Sequence, residues 1–124
     1  MNFTISNKEK HQLVTSNIEN LNSVVSTELK SELVVTIKEG NKNIILDLSK
    51  TVYADSSGLS GILLGNRLCR DAGGTFVLTG LNEHIGKLIE IAQLDRVLNI
   101  TPTINEAVDL IFMEEIERNL GEAE

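Results

Sequence analysis

The sequence predicts an α/β fold, a small mixed and largely parallel β-sheet with an antiparallel N-terminal edge strand, built from about five strands and four helices. Three observations lead there. Short apolar runs alternate with stretches of helical period, and each helical stretch is long enough to cross over between parallel strands. Only the first two runs are joined by a short polar link, which suits an antiparallel pair.

Taken in order, "FTIS" at 3–6 and "HQLVT" at 11–15 flank the polar "NKEK" and read as a β-hairpin or edge pair. From Ser23, Val25, Leu29, Leu33 and Ile37 recur every fourth residue and predict an amphipathic helix ending by Gly40. "NIILDL", 43–48, is apolar without alternation, as expected of a strand covered on both faces. A second helix spans Ser57 to Asp71, stopped by Gly73 and Gly74, and "TFVLT" at 75–79 is a further central strand. Ile85, Leu88, Ile89 and Ala92 mark the face of a third helix, and "VLNIT", 97–101, supplies the last strand. Pro102 or Thr103 opens the final helix, whose apolar face is Ile104, Ala107, Val108 and Ile111. Residues 1–113 form one domain, and 114–124 are the acidic end of the last helix and a tail expected to be solvated and frayed.

A length of 124 residues suits one domain with one core. The net charge of −7 argues against sequence-independent binding to nucleic acid or an anionic membrane, since both need surplus Lys and Arg to displace counterions. The single Cys69 has no partner for a disulfide and is expected to be buried in a helix, which points to a reducing compartment. No signal-peptide core or membrane-length apolar run is present, so a cytoplasmic location is expected.

In parallel sheets the segments after the strands' carboxyl ends collect on one rim, where ligands and partners meet the fold. Here that rim gathers residues 16–22, 49–57, 80–82 and 101–103, bringing Asn20, Asn22, Leu81 and Asn82 beside "TVYADSSGLSGILL" at 51–64. The cluster Asp55, Ser56, Ser57 admits four readings: catalysis, anion binding, modification or helix initiation. Asp55 or Ser56 suits an N-cap, and Ser56 is read as helix-start chemistry. Ser57 falls in the first helical turn beside free N–H donors, with Gly58 adding no bulk, so a phosphate there would be favoured by the helix dipole. Such a phosphate would oppose docking of a partner fitted to the neutral hydroxyl.

A serine nucleophile needs an oriented base, and neither His11 nor His84 is obviously placed for that task. "SGLSG" does not match the G-x-S-x-G elbow, both phosphate-loop patterns are absent, and no His/Cys/Asp/Glu group has metal-ligand spacing. No catalytic residue, metal or cofactor is therefore expected, and the domain is read as a non-enzyme.

The order of strand, "DSSGL", helix, glycine stop, "FVLTGLN", helix, "LDRVLNI" and "T-x-x-EAV" resembles the STAS domain, shared by anti-sigma-factor antagonists and the tails of sulphate transporters. The resemblance runs from about Phe3 to Phe112 and looks closest to the stand-alone bacterial antagonists. It implies that Ser57, the second serine of the motif, is phosphorylated by an anti-sigma factor that is also a serine kinase, and restored by a serine phosphatase. It also implies a partner surface around Asp55, Ser56, Ser57, Gly58, Leu59, Asn20, Asn22, Leu81 and Asn82. Where the family usually carries an aspartate before the first helix, this chain has Asn22, with Glu19 nearby. The domain is expected as a monomer or weak dimer without direct contact to nucleic acid or membrane. Two other classes stay open: a STAS module of a transport or stress-signalling complex that is not phosphorylated, and a small-ligand or nucleotide-binding domain using the same rim.

Overall fold

A computed structural model describes residues 1–123. In chain order its elements are β1 (Phe3–Asn7), β2 (Gln12–Ser16), β3 (Asn20–Leu21), α1 (Ser23–Lys38), β4 (Ile44–Asp47), β5 (Tyr53–Ala54), α2 (Ser56–Asp71), β6 (Phe76–Thr79), α3 (Glu83–Ile91), β7 (Asn99–Thr101) and α4 (Ile104–Ala123). The main sheet has the order β1-β2-β4-β6-β7, antiparallel between β1 and β2 and parallel elsewhere. The α/β class, the antiparallel edge and the four helices stand as the sequence predicts. β3 and β5, two residues each, form a separate parallel ladder that the apolar pattern does not announce.

The layering follows from the sheet's two apolar faces. Ile44, Leu46, Phe76 and Leu78 pack with Leu29 and Leu33 of α1, Ile62 and Cys69 of α2, and Ile85 and Ile89 of α3. Ile45 and Val77 point the other way, onto Ala107 and Ile111 of α4. All four residues of β4 are therefore buried, which accounts for its unbroken apolar run. Cys69 is enclosed in α2, and burial pushes its thiol up to about 12.

Strand ends shift by one residue at β1, β2, β4 and β6, and three further boundaries differ from the sequence reading. The last strand covers only Asn99–Thr101, because Leu94–Arg96 form a 3-10 turn after the left-handed Gln93. α2 begins at Ser56, one residue early. The largest difference is at the C-terminus: the segment expected to fray continues α4 to Ala123.

Side-chain chemistry explains that continuation. Asn43, just before β4, donates to Lys10 O and to Glu115 Oε1, both at 3.0 Å, and accepts from Thr75 N at 2.8 Å. Arg118 donates to Thr75 Oγ1 at 3.1 Å and pairs with Glu115 one turn back. Hydrogen bonds from Asn43 and then Arg118 hold the Glu115 carboxyl below its ordinary range. A carboxylate with a depressed folded pKa adds stability above its unfolded value and loses it as pH falls through the folded one. Acidification below about pH 4.5, the ordinary glutamate range, is thus expected to loosen the end of α4 before the rest. Hydrogen exchange at 114–121 in wild type and Glu115→Gln measures it; equal pH dependence in both would count against Glu115 as the clamp.

Candidate partner-docking site

The β3–β5 ladder sets the geometry of the rim. Asn20 pairs with Tyr53 and Leu21 with Ala54, so the segments leading into α1 and α2 run side by side. Val52 N and Tyr53 N both donate to Glu19 O, at 2.7 and 2.9 Å, and Thr51 Oγ1 donates to Ile18 O at 2.8 Å. Both helices therefore start at one level.

Each start is capped by an Asx side chain. Asn22 Oδ1 accepts from Val24 N and Val25 N at 3.1 and 3.2 Å, and Asp55 Oδ1 accepts from Gly58 N at 3.0 Å. Asn82 Oδ1 accepts from Ile85 N at 2.9 Å to open α3, while its Nδ2 donates to Val52 O at 2.9 Å. That second bond ties α3 to the other two helix starts. Three positive dipole ends are thus gathered on one surface. The rim brings together Asn20, Asn22, Asp55, Ser56, Ser57, Asn82 and Leu81, the last of which packs onto the core.

Two assignments are refined here. The cap of α2 is Asp55, not Ser56, because the carboxylate reaches Gly58 N; Ser56 is exposed in the first turn. Asn22 is a cap as well, so the amide standing where the STAS resemblance expects an aspartate retains the acceptor and lacks only the charge.

Ser57 is half-buried on the side of α2 facing α1. Ser26 Oγ donates to its carbonyl at 2.6 Å, which fixes the backbone, and its hydroxyl has no hydrogen-bond partner among the described residues. Gly58 is buried directly beneath: a Cβ there would lie 2.4 Å from Leu21 O. Leu59 is partly buried and packs against the core.

Residues without a site assignment in the sequence reading complete the surface. Val24 is 79% exposed and Tyr53 56% exposed. The ring of Tyr53 meets His84 edge-on at 5.4 Å. A signal for Val24 existed, since it is apolar one step off the Val25–Leu29–Leu33 stripe. Tyr53, the sole tyrosine, sits in a two-residue strand too short for periodicity to reveal. His11 lies at the far end of the sheet before β2, where burial and then Lys8 lower its pKa. Among the described residues neither histidine hydrogen-bonds to Ser56 or Ser57, and no group of His, Cys, Asp or Glu is placed to hold a metal ion.

The three main grooves, about 260, 400 and 220 Å³, are lined by none of the rim residues 16–22, 49–57 or 80–82. No helix among the described residues is long and apolar enough to cross a membrane.

The STAS domain family model matches residues 6–107. The chain belongs to the STAS domain family. Among relatives of this STAS domain, the Bordetella bronchiseptica protein BtrV, named as a candidate anti-sigma factor antagonist, is 31% identical over 79% of this chain and 84% of its own. The anti-sigma-B factor antagonist of Bacillus subtilis is 26% identical over 82% of this chain and 93% of its own. A candidate anti-sigma factor antagonist from Thermotoga maritima superimposes with a TM-score of 0.83 at 25% identity, covering 88% of this chain and 93% of that one.

Proposed function

We propose that this STAS domain is an anti-sigma factor antagonist that works as a phosphorylation-controlled partner switch in the cytoplasm. With Ser57 unmodified it binds an anti-sigma factor and so frees a sigma factor; with Ser57 phosphorylated by that partner's kinase activity it lets go, and a serine phosphatase resets it. The domain is substrate and binding module; the ATP belongs to the kinase.

The observation that carries this reading is the setting of Ser57. Its hydroxyl has no hydrogen-bond partner among the described residues and lies at the start of α2, on a surface that gathers three helix starts beside exposed Val24 and Tyr53. A hydroxyl so placed is accessible to a kinase, and its charge state is felt across the whole contact. The test is phosphate incorporation. Incubated with ATP and the kinase-type anti-sigma factor recovered by pull-down from its native host, the intact chain should gain one phosphate and Ser57→Ala none. Labelling of Ser57→Ala at the wild-type rate would overturn the assignment.

Tyr53 has the properties of a binding anchor, being large, rigid, half-exposed and centred on the rim. Tyr53→Ala is expected to weaken partner binding about tenfold, ~1.4 kcal/mol, while leaving the unfolding midpoint close to wild type. Titration calorimetry beside thermal unfolding separates the two effects, and unchanged affinity would remove Tyr53 from the contact.

A further inference from the structure

Ser26 of α1 carries a buried hydroxyl that bonds outside its own helix. Serine and threonine within a helix ordinarily return the hydroxyl to the carbonyl four residues back. The neighbouring Thr27 does so, its Oγ1 donating to Ser23 O at 3.2 Å. Ser26, only 2% exposed, instead sends Oγ across to α2, where it donates to Ser57 O at 2.6 Å. A helical carbonyl can accept this second bond because its oxygen has two lone pairs and the helix uses one. Gly61 leaves room for the crossing: a Cβ there would lie 2.9 Å from Ser26 Oγ and 3.3 Å from Leu29 Cδ2. Ser57 and Gly61, four residues apart, thus lie on the face of α2 turned to α1.

The tie falls at the residue whose position governs the chemistry. Ser57 is the second residue of α2, in the turn where N–H groups lack intrahelical partners and helices fray. The Asp55 cap restrains Gly58 N, whereas Ser26 restrains Ser57 itself. In phosphoryl transfer Ser57 Oγ bonds to the γ-phosphorus of ATP as the bond to ADP breaks, and the hydroxyl proton passes to a base of the kinase. Its rate depends on the acceptor oxygen standing in line with the leaving group. Resting on the phosphorylation of Ser57 proposed above, we infer that Ser26 is a positioning residue for that transfer: its buried hydroxyl anchors the Ser57 backbone to α1, so the acceptor oxygen enters the kinase in one orientation.

The intact chain and its variants are phosphorylated with ATP by the kinase-type anti-sigma factor recovered by pull-down, at a temperature well below every unfolding midpoint, and the Ser57 carbonyl carbon is followed by NMR. Because Ser26 is enclosed and offers the partner no surface, Ser26→Ala is expected to lower kcat at least about fivefold, with KM within about twofold of wild type. The Ser57 carbonyl shift should move with it while that of Ser60 stays. Ser26→Thr keeps the hydroxyl and should return both the shift and kcat to within about twofold of wild type. Gly61→Ala, which crowds Ser26 Oγ from the other side, should lower kcat in the same way and serves as the probe if Ser26→Ala does not fold. Wild-type kcat in the folded probe, a loss carried by KM alone, or a Ser26→Thr variant as slow as Ser26→Ala would each overturn this role while leaving Ser57 as the acceptor. No phosphate on the wild-type chain would overturn the reading of Ser57 and the role of Ser26 with it.

Discussion

Ser57→Glu is expected to weaken binding to the anti-sigma partner about thirtyfold or more, ~2 kcal/mol, while Ser57→Ala and Ser57→Gln bind within a few fold of wild type. The physical reason lies in where the charge lands. Ser57 is half-buried against α1, so a carboxylate there is covered by any partner that covers the rim, and it loses water without gaining a designed cation. Asp55, two residues earlier, already places a carboxylate on the surface, so the added charge is of like sign. The helix dipole partly offsets this within the free protein, which keeps the modified domain folded and concentrates the penalty in the complex. Phosphate, with about −1.5 to −2 charges, should act more strongly than glutamate. The glutamine variant isolates charge from bulk. Equal losses for Ser57→Glu and Ser57→Gln in calorimetry would mean that steric fit alone governs the contact.

Gly58→Ala should destabilise the domain by about 1–3 kcal/mol, against the direction that helix propensity sets. Propensity alone favours alanine over glycine within a helix by about 1 kcal/mol. The new Cβ, however, would sit 2.4 Å from Leu21 O and 2.9 Å from Leu21 Cγ. The obstacle is backbone, and that backbone belongs to the β3–β5 ladder, so relief requires α2 to lift away from β3. Gly86→Ala in α3 is the control, since a Cβ there meets nothing within 4 Å. It should stabilise by about 0.5–1 kcal/mol. Denaturant unfolding of both variants decides between sterics and propensity; stabilisation by Gly58→Ala would show that the rim yields easily. Because the clash and the capped start of α2 share one site, Gly58→Ala should also slow phosphorylation of Ser57.

The two variants mark where sequence reasoning reaches and where it stops. Val25, Leu29, Leu33 and Ile37 repeat at helical spacing, and "NIILDL" is apolar on consecutive positions, so α1 and β4 announce themselves through periodicity. The acid and hydroxyls before an apolar run likewise mark the start of α2. Periodicity is silent over two residues, which is why β3 and β5 escape notice although they align the rim. It also registers polarity without partners. "EEIERNLGEAE" reads as solvated because its charges have no visible counterpart, whereas Asn43 and Thr75, far away in the chain, supply it for Glu115 and Arg118.

By itself the sequence determined the α/β class, the antiparallel edge and the order of the helices and main-sheet strands, because these depend on local pattern. Only the tertiary structure decided that Asp55 caps α2, that Asn22 and Asn82 cap its neighbours, and that Val24 and Tyr53 stand out beside them. It also decided that α4 stays helical to Ala123 with an uncovered apolar flank. Those outcomes rest on hydrogen bonds and contacts between residues far apart in the chain, which exist only once the β3–β5 ladder and the central sheet have brought them together.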